Sequence, residues 1–149
     1  MDLRLSAALS GHPEESPTLE IDTAAGRDRL PRMTDKPQMP FTHAVILEVM
    51  RLAAPIHSGV MHAAAQDTTL RGFLIPKGAM LISNIWGVHH DPDVWREPNQ
   101  FDPSRFLDEN GEVIDDNEAL IPFSVGKFTC PCDSYPLELI TLCVQRVYF

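Results

Sequence analysis

Phe123-Ser124-Val125-Gly126-Lys127-Phe128-Thr129-Cys130 is the stretch whose reading decides the fold of this chain. An aromatic residue and a glycine are spaced to turn a tight loop around one cysteine. Held among apolar walls and backbone N–H donors, a thiolate there is a good axial ligand for haem iron, pushing electron density onto the metal. Most lone cysteines are small buried hydrophobes, but the loop around Cys130 favours the ligand.

Just before this loop, Glu97 to Phe123 is rich in Pro, Asp and Asn and has no sustained period. A connection of that length is unusual unless it wraps something. Asp91-Pro92-Asp93-Val94-Trp95 reads as a short helical turn begun by an Asp cap. Earlier still, Leu70 to Ile75 and Ala79 to Ile82 are β-prone runs flanking Pro76-Lys77-Gly78 and are expected to form a hairpin about that turn, preceded by an extended segment over Ile56–Ala65. Phe41, Ala44, Val45, Glu48, Val49 and Leu52 recur at three-and-four spacing after Pro40, which predicts an amphipathic helix over about 40–53, ended by Pro55. Leu19 to Ala25 is a short helix stopped by Gly26, and Arg27 to Gln38 a charged loop. Residues 1–18 read as a polar, disordered leader.

With 149 residues, 44% of them hydrophobic, the chain is bounded to one domain or part of one. A net charge of −9, from 21 acidic and 12 basic residues, argues against a nucleic-acid partner, which needs clustered cations. Cys130, Cys132 and Cys143 are too few and too clustered for a disulfide framework, so a reducing compartment is expected. The sequence has no apolar run near the roughly 20 residues that span a bilayer, so a soluble or peripheral chain without anchor or signal peptide is expected.

Glu48 and Arg51, three apart on the expected helix, share one face. In isolation such a pair is usually a solvated surface contact. Here it lies among Ala44, Val45, Val49 and Leu52, and Arg105, in Phe101-Asp102-Pro103-Ser104-Arg105-Phe106, is placed to reach back to Glu48. A partly buried, structural triad would result, its planar guanidinium forks gripping one carboxylate. A zinc site from Cys130 and Cys132 with two of His57, His62, His89 and His90 is disfavoured, because the Cys-x-Cys spacing has no matching second ligand pair. His89 and His90 read as strand-end residues, one ring capping the Asp91 turn, and Trp86 and Trp95 as packing residues.

Taken in order, Glu48-Val49-Met50-Arg51, Phe101 to Phe106 and Phe123 to Cys130 resemble the signature set of the cytochrome P450 haem-thiolate monooxygenases. Leu19-Glu20-Ile21-Asp22, Gly26 to Pro31, Met39-Pro40-Phe41-Thr42, Gly72 to Gly78 and His89-His90-Asp91-Pro92 also resemble its microsomal, animal-type branch, so the likeness runs from Leu19 to roughly Asp133. It implies a mainly α fold with a small β-sheet (α+β), an incomplete P450 fold from the helix before the Glu-x-x-Arg helix to the cysteine haem loop, with residues 19–149 a partial haem-thiolate monooxygenase domain. Cys130 would then be the axial ligand of haem b, Phe123 and Gly126 would shape its loop, and His62 would donate to a haem propionate. Glu48, Arg51 and Arg105 would form the core-locking triad, and Leu52 to Val60 would line a substrate pocket. The implied activity is insertion of one atom of dioxygen into a small apolar substrate of steroid, fatty-acid or xenobiotic type, with electrons from a flavoprotein reductase, at the cytoplasmic side of the endoplasmic reticulum membrane.

Against the family pattern, Phe128 stands where an arginine usually pairs with a propionate and Cys132 where a glycine lets the next helix approach the porphyrin. Pro131 and Pro136 interrupt that helix. The family's oxygen-activating helix, membrane anchor and closing C-terminal sheet have no counterpart in the sequence. These departures imply weakened haem affinity and an isolated chain that does not turn over substrate, the alternative being a non-catalytic fragment or pseudoenzyme without haem.

Overall fold

Helix α2 (Pro40–Ala53) anchors the other elements in the computed structural model, which describes residues 17–29, 31–114 and 116–124. Pro40 opens it where a missing N–H costs nothing. The next two orphan amides, of Phe41 and Thr42, donate to the Glu20 carboxylate at 2.8 and 2.6 Å, and Thr42 Oγ1 donates to it at 2.6 Å. Glu20 belongs to helix α1 (Pro17–Ala25), so one helix caps the next with a negative charge at its positive end. At the far end Ala54 turns left-handed (φ 37°) and Pro55 prevents continuation. The buried stripe runs through Phe41, Ala44, Glu48 and Arg51, with Val45, Val49 and Leu52 half-buried at its edge.

Helix α1 starts at Pro17, two residues before the expected Leu19 and within the leader expected over residues 1–18, whose first 16 residues lie outside the described residues. Within the expected charged loop, Met33–Gln38 form a 3-10 helix. Asp35 holds its start, accepting the Arg32 N–H at 2.8 Å and pairing with Arg29 at 2.6 Å. The Arg29 guanidinium first, then the Arg32 amide, pull the Asp35 carboxyl down to about 2.

The expected hairpin is corrected. Strands β2 (Thr68–Leu70) and β3 (Phe73–Ile75) pair antiparallel about Arg71-Gly72, while β1 (His62–Ala63) pairs with β4 (Met80–Leu81). Both ladders keep one register, so Pro76-Lys77-Gly78 is an interruption in a single long ribbon and not its tip. Asp67 accepts the Lys77 N–H at 2.7 Å across that gap, and the Gly78 N–H donates to Ala64 O at 2.8 Å. Ile56–Ala65 is extended only toward its end, since residues 55–58 turn. The true tip has positive φ at both central residues, 48° at Arg71 and 85° at Gly72, the signature of a type I′ turn. Arg71 is strained there, so Arg71→Asn should raise stability by about 1 kcal/mol. A urea midpoint below that of the parent chain would contradict the turn assignment.

Helix α3 (Ile85–His89) is started by Asn84, whose Oδ1 accepts the Gly87 N–H at 3.0 Å. A Cβ on Gly87 would come within 2.3 Å of the Asn84 side chain, so the cap requires glycine. As expected, Asp91–Trp95 is a turn, with the Trp95 N–H donating to Asp91 O at 2.8 Å. Pro103–Phe106 form a 3-10 turn capped by Asp102, which accepts the Ser104 N–H at 3.1 Å, and Leu107 bridges to Val113. These local devices order the long stretch before the cysteine loop. Ala44, Trp95 and Phe106 form the core beneath it, with Leu47, Leu107, Ala119 and Leu120 packed around them. Among the described residues no helix is long and apolar enough to cross a membrane.

Candidate functional site

One turn of α2 places Glu48 and Arg51 on the same face, and both side chains are fully buried, at 0% exposure. The surface-pair reading of this spacing therefore does not hold here. The carboxylate and guanidinium meet as a fork, Arg51 Nε to Glu48 Oε2 at 2.7 Å and Nη2 to Oε1 at 2.9 Å. Burial of two charges is costly unless the remaining donors and acceptors are met. Arg51 meets them on backbone carbonyls: Nη1 donates to His89 O at 2.6 Å and Pro98 O at 2.9 Å, and Nη2 to Gln100 O at 3.4 Å. Its guanidinium also lies 5.2 Å from the centroid of Trp95, whose Nε1 donates to Val88 O at 2.9 Å.

Glu48 Oε1 accepts the Asp102 N–H at 2.9 Å and lies 3.5 Å from Arg105 Nε. The structure thus brings Glu48, Arg51 and Arg105 together, with unequal contacts. Arg105 is 11% exposed; its Nε has no hydrogen-bond partner among the described residues, and its Nη2 donates to Glu97 O at 3.1 Å. The third member attracts Glu48 through charge, not a formed hydrogen bond.

His89, at the end of α3, is fully buried. Its Nε2 accepts the Ile121 N–H at 2.9 Å, which fixes the neutral tautomer with the proton on Nδ1. Burial first, then the charges of Arg51 and His90, push this imidazole down to about 4. Neither His89 nor His90 sits at a strand end: His90 follows α3, stacks on Trp86 with centroids 4.3 Å apart, and its Nδ1 lies 3.0 Å from Trp86 O. The Asp91 turn is capped instead by its own carboxylate, which accepts the Asp93 N–H at 3.0 Å. Trp95 is a packing residue; Trp86, 50% exposed, is not.

His62 is half-buried on β1 opposite Leu81. Phe123 is half-buried in a turn closed by the Ser124 N–H on Ile121 O at 3.0 Å. Cys130 and Gly126 lie outside the described residues, as do Phe128, Pro131, Cys132 and Pro136. Among the described residues no group of three or more His, Cys, Asp or Glu side chains could hold a metal ion. The carbonyls that receive Arg51, the carboxylate of Glu20 on α2 and the ring of His89 on Ile121 escaped sequence reasoning. None of these had a local cue, since each joins residues more than twenty apart in the chain.

The buried carboxylate–guanidinium fork ties helix α2 to the stretch over residues 89–102, and comparison with known proteins says which family has such a chain. The description Cytochrome P450 matches residues 12–132, and the chain belongs to that family. It is 45% identical over 124 residues to cytochrome P450 2U1 of Bos taurus, covering 82% of this chain and 23% of that protein. The human cytochrome P450 2U1 is 41% identical over 126 residues, covering 85% and 23%. Cytochrome P450 1A1 of Limanda limanda is 38% identical over 126 residues, covering 82% and 24%. The chain thus spans about a quarter of the length of these curated relatives.

Proposed function

We propose that this chain contributes the thiolate side of a haem-binding monooxygenase site, with Cys130 as the axial ligand of haem b. The observation that carries the reading is the family match through residue 132, which includes Cys130. The donor set suits an iron porphyrin: a thiol for the metal, and the half-buried imidazole of His62 for a carboxylate at its edge. Phe123 and Gly126 would shape the loop, while Glu48, Arg51 and Arg105 fix the segment leading into it. When bound, the haem supplies activation of dioxygen and insertion of one oxygen atom into an apolar substrate. Leu52–Val60 would supply part of a wall for a steroid-, fatty-acid- or xenobiotic-like molecule. A flavoprotein reductase would deliver the electrons, at the cytoplasmic side of the endoplasmic reticulum membrane.

Phe128 stands where a cation would hold a propionate, so haem would be held less tightly than with arginine there. A second reading, a chain that binds no haem and does not catalyse, is supported by the exposure of Val60, Met61, Leu70, Phe73, Leu74, Met80 and Ile82. Such a surface does not by itself enclose a dry cavity, so the isolated chain is expected not to turn over substrate. Reconstitution with haemin followed by reduction under carbon monoxide decides between the readings. The proposal expects a thiolate-type Soret band that Cys130→Ser abolishes. Failure to take up haem, or a spectrum unaltered by Cys130→Ser, would overturn it.

A further inference from the structure

We propose that His89 is a positioning residue for the cysteine loop, its neutral imidazole holding the Ile121 amide and so tying the entry of that loop to α3 and, through the His89 carbonyl, to Arg51. The backbone oxygen of His89 accepts Arg51 Nη1 at 2.6 Å, and its Nε2 accepts the Ile121 N–H at 2.9 Å. One residue thus joins the buried charge pair of α2 to the chain nine residues before Cys130. Immediately after the held amide, the Ser124 N–H closes a turn on Ile121 O at 3.0 Å, with Ser124 left-handed at φ 67°. The direction in which the chain leaves this turn therefore depends on where Ile121 is fixed.

Three features separate this role from packing. The ring is fully buried, yet its Nδ1 has no hydrogen-bond partner among the described residues. A buried N–H without an acceptor opposes folding, so packing alone does not account for an imidazole here. The environment also keeps the ring neutral: burial first, then Arg51 of α2 and the adjacent His90, oppose a positive charge on it. Only the neutral ring can accept from Ile121, since the imidazolium has two donors and no acceptor.

His89→Leu and His89→Gln test the assignment in the full chain by hydrogen exchange at the Ile121 amide and by thermal melting. Leucine keeps the volume and removes the acceptor; the Gln Oε1 can replace Nε2. The expected result is Ile121 exchange faster on the order of tenfold in His89→Leu, near-parental exchange in His89→Gln, and a melting temperature in His89→Leu close to the parent's, since the orphaned Ile121 amide offsets the orphan Nδ1–H that is removed. A protected Ile121 in folded His89→Leu, or fast exchange in both variants, would overturn the role. So would a lowered melting temperature that accounts for all the added exchange. The consequence for Cys130 rests on the haem-loop reading, and is tested apart from it: haemin affinity should fall in His89→Leu and recover in His89→Gln. If the parent chain takes up no haem, the haem reading fails, while the exchange result still decides whether His89 positions Ile121.

Discussion

Glu48→Gln is expected to remove a large share of the chain's stability, about 3–5 kcal/mol. The substitution deletes one charge and almost no volume, so the loss measures what happens to Arg51. That guanidinium has 0% exposure and no other carboxylate bound to it among the described residues. Its remaining partners are the carbonyls of His89, Pro98 and Gln100, which carry partial charges only. A domain's total stability is about 5–15 kcal/mol, so an uncompensated buried cation takes a large share of it. Arg105→Leu should cost far less, under about 1 kcal/mol, because its 3.5 Å approach to Glu48 forms no hydrogen bond. Urea titration of both variants checks the ordering. Equal losses would mean that the three residues act as a symmetric triad, contrary to the geometry.

Phe106→Ala should cost about 3–5 kcal/mol through the cavity it leaves. Phe106 is fully buried, its ring 5.9 Å from that of Trp95 and tilted 52° to it, above Ala44 on α2. The floor of the site cannot collapse into the hole, because Ala44 is already small and Trp95 is fixed by its bond to Val88 O. Phe106→Leu, which keeps most of the volume, should lose less than about 1.5 kcal/mol. Thermal melts of the two variants separate cavity cost from the loss of aromaticity. A Phe106→Ala loss below that of Phe106→Leu would show that the core is not packed around this ring.

Helix α2 was legible from residues alone, since Pro40, the three-and-four spacing and Pro55 are local signals that agree. The ribbon was legible as β but not in its pairing. Pro76-Lys77-Gly78 is a stronger turn signal than Arg71-Gly72, and only long-range pairing of His62-Ala63 with Met80-Leu81 shows that the chain reverses earlier. The pairing of Glu48 with Arg51 could be read from spacing, whereas its complete burial depended on loops that return from residues 89 to 102. Backbone oxygens leave no mark in a sequence, so the larger part of the Arg51 shell was invisible there. The resemblance of Phe123 to Cys130, with the order of the other motifs, pointed to the family whose description matches residues 12–132.

Because Arg51 grips main-chain oxygens at Pro98 and Gln100, the side chains at those two positions are not what it recognises. Replacement there should be forgiving provided the chain keeps its course. Adding or deleting one residue between 90 and 100 would move those oxygens out of reach and strand the cation, so this stretch should drift in spelling while staying fixed in length.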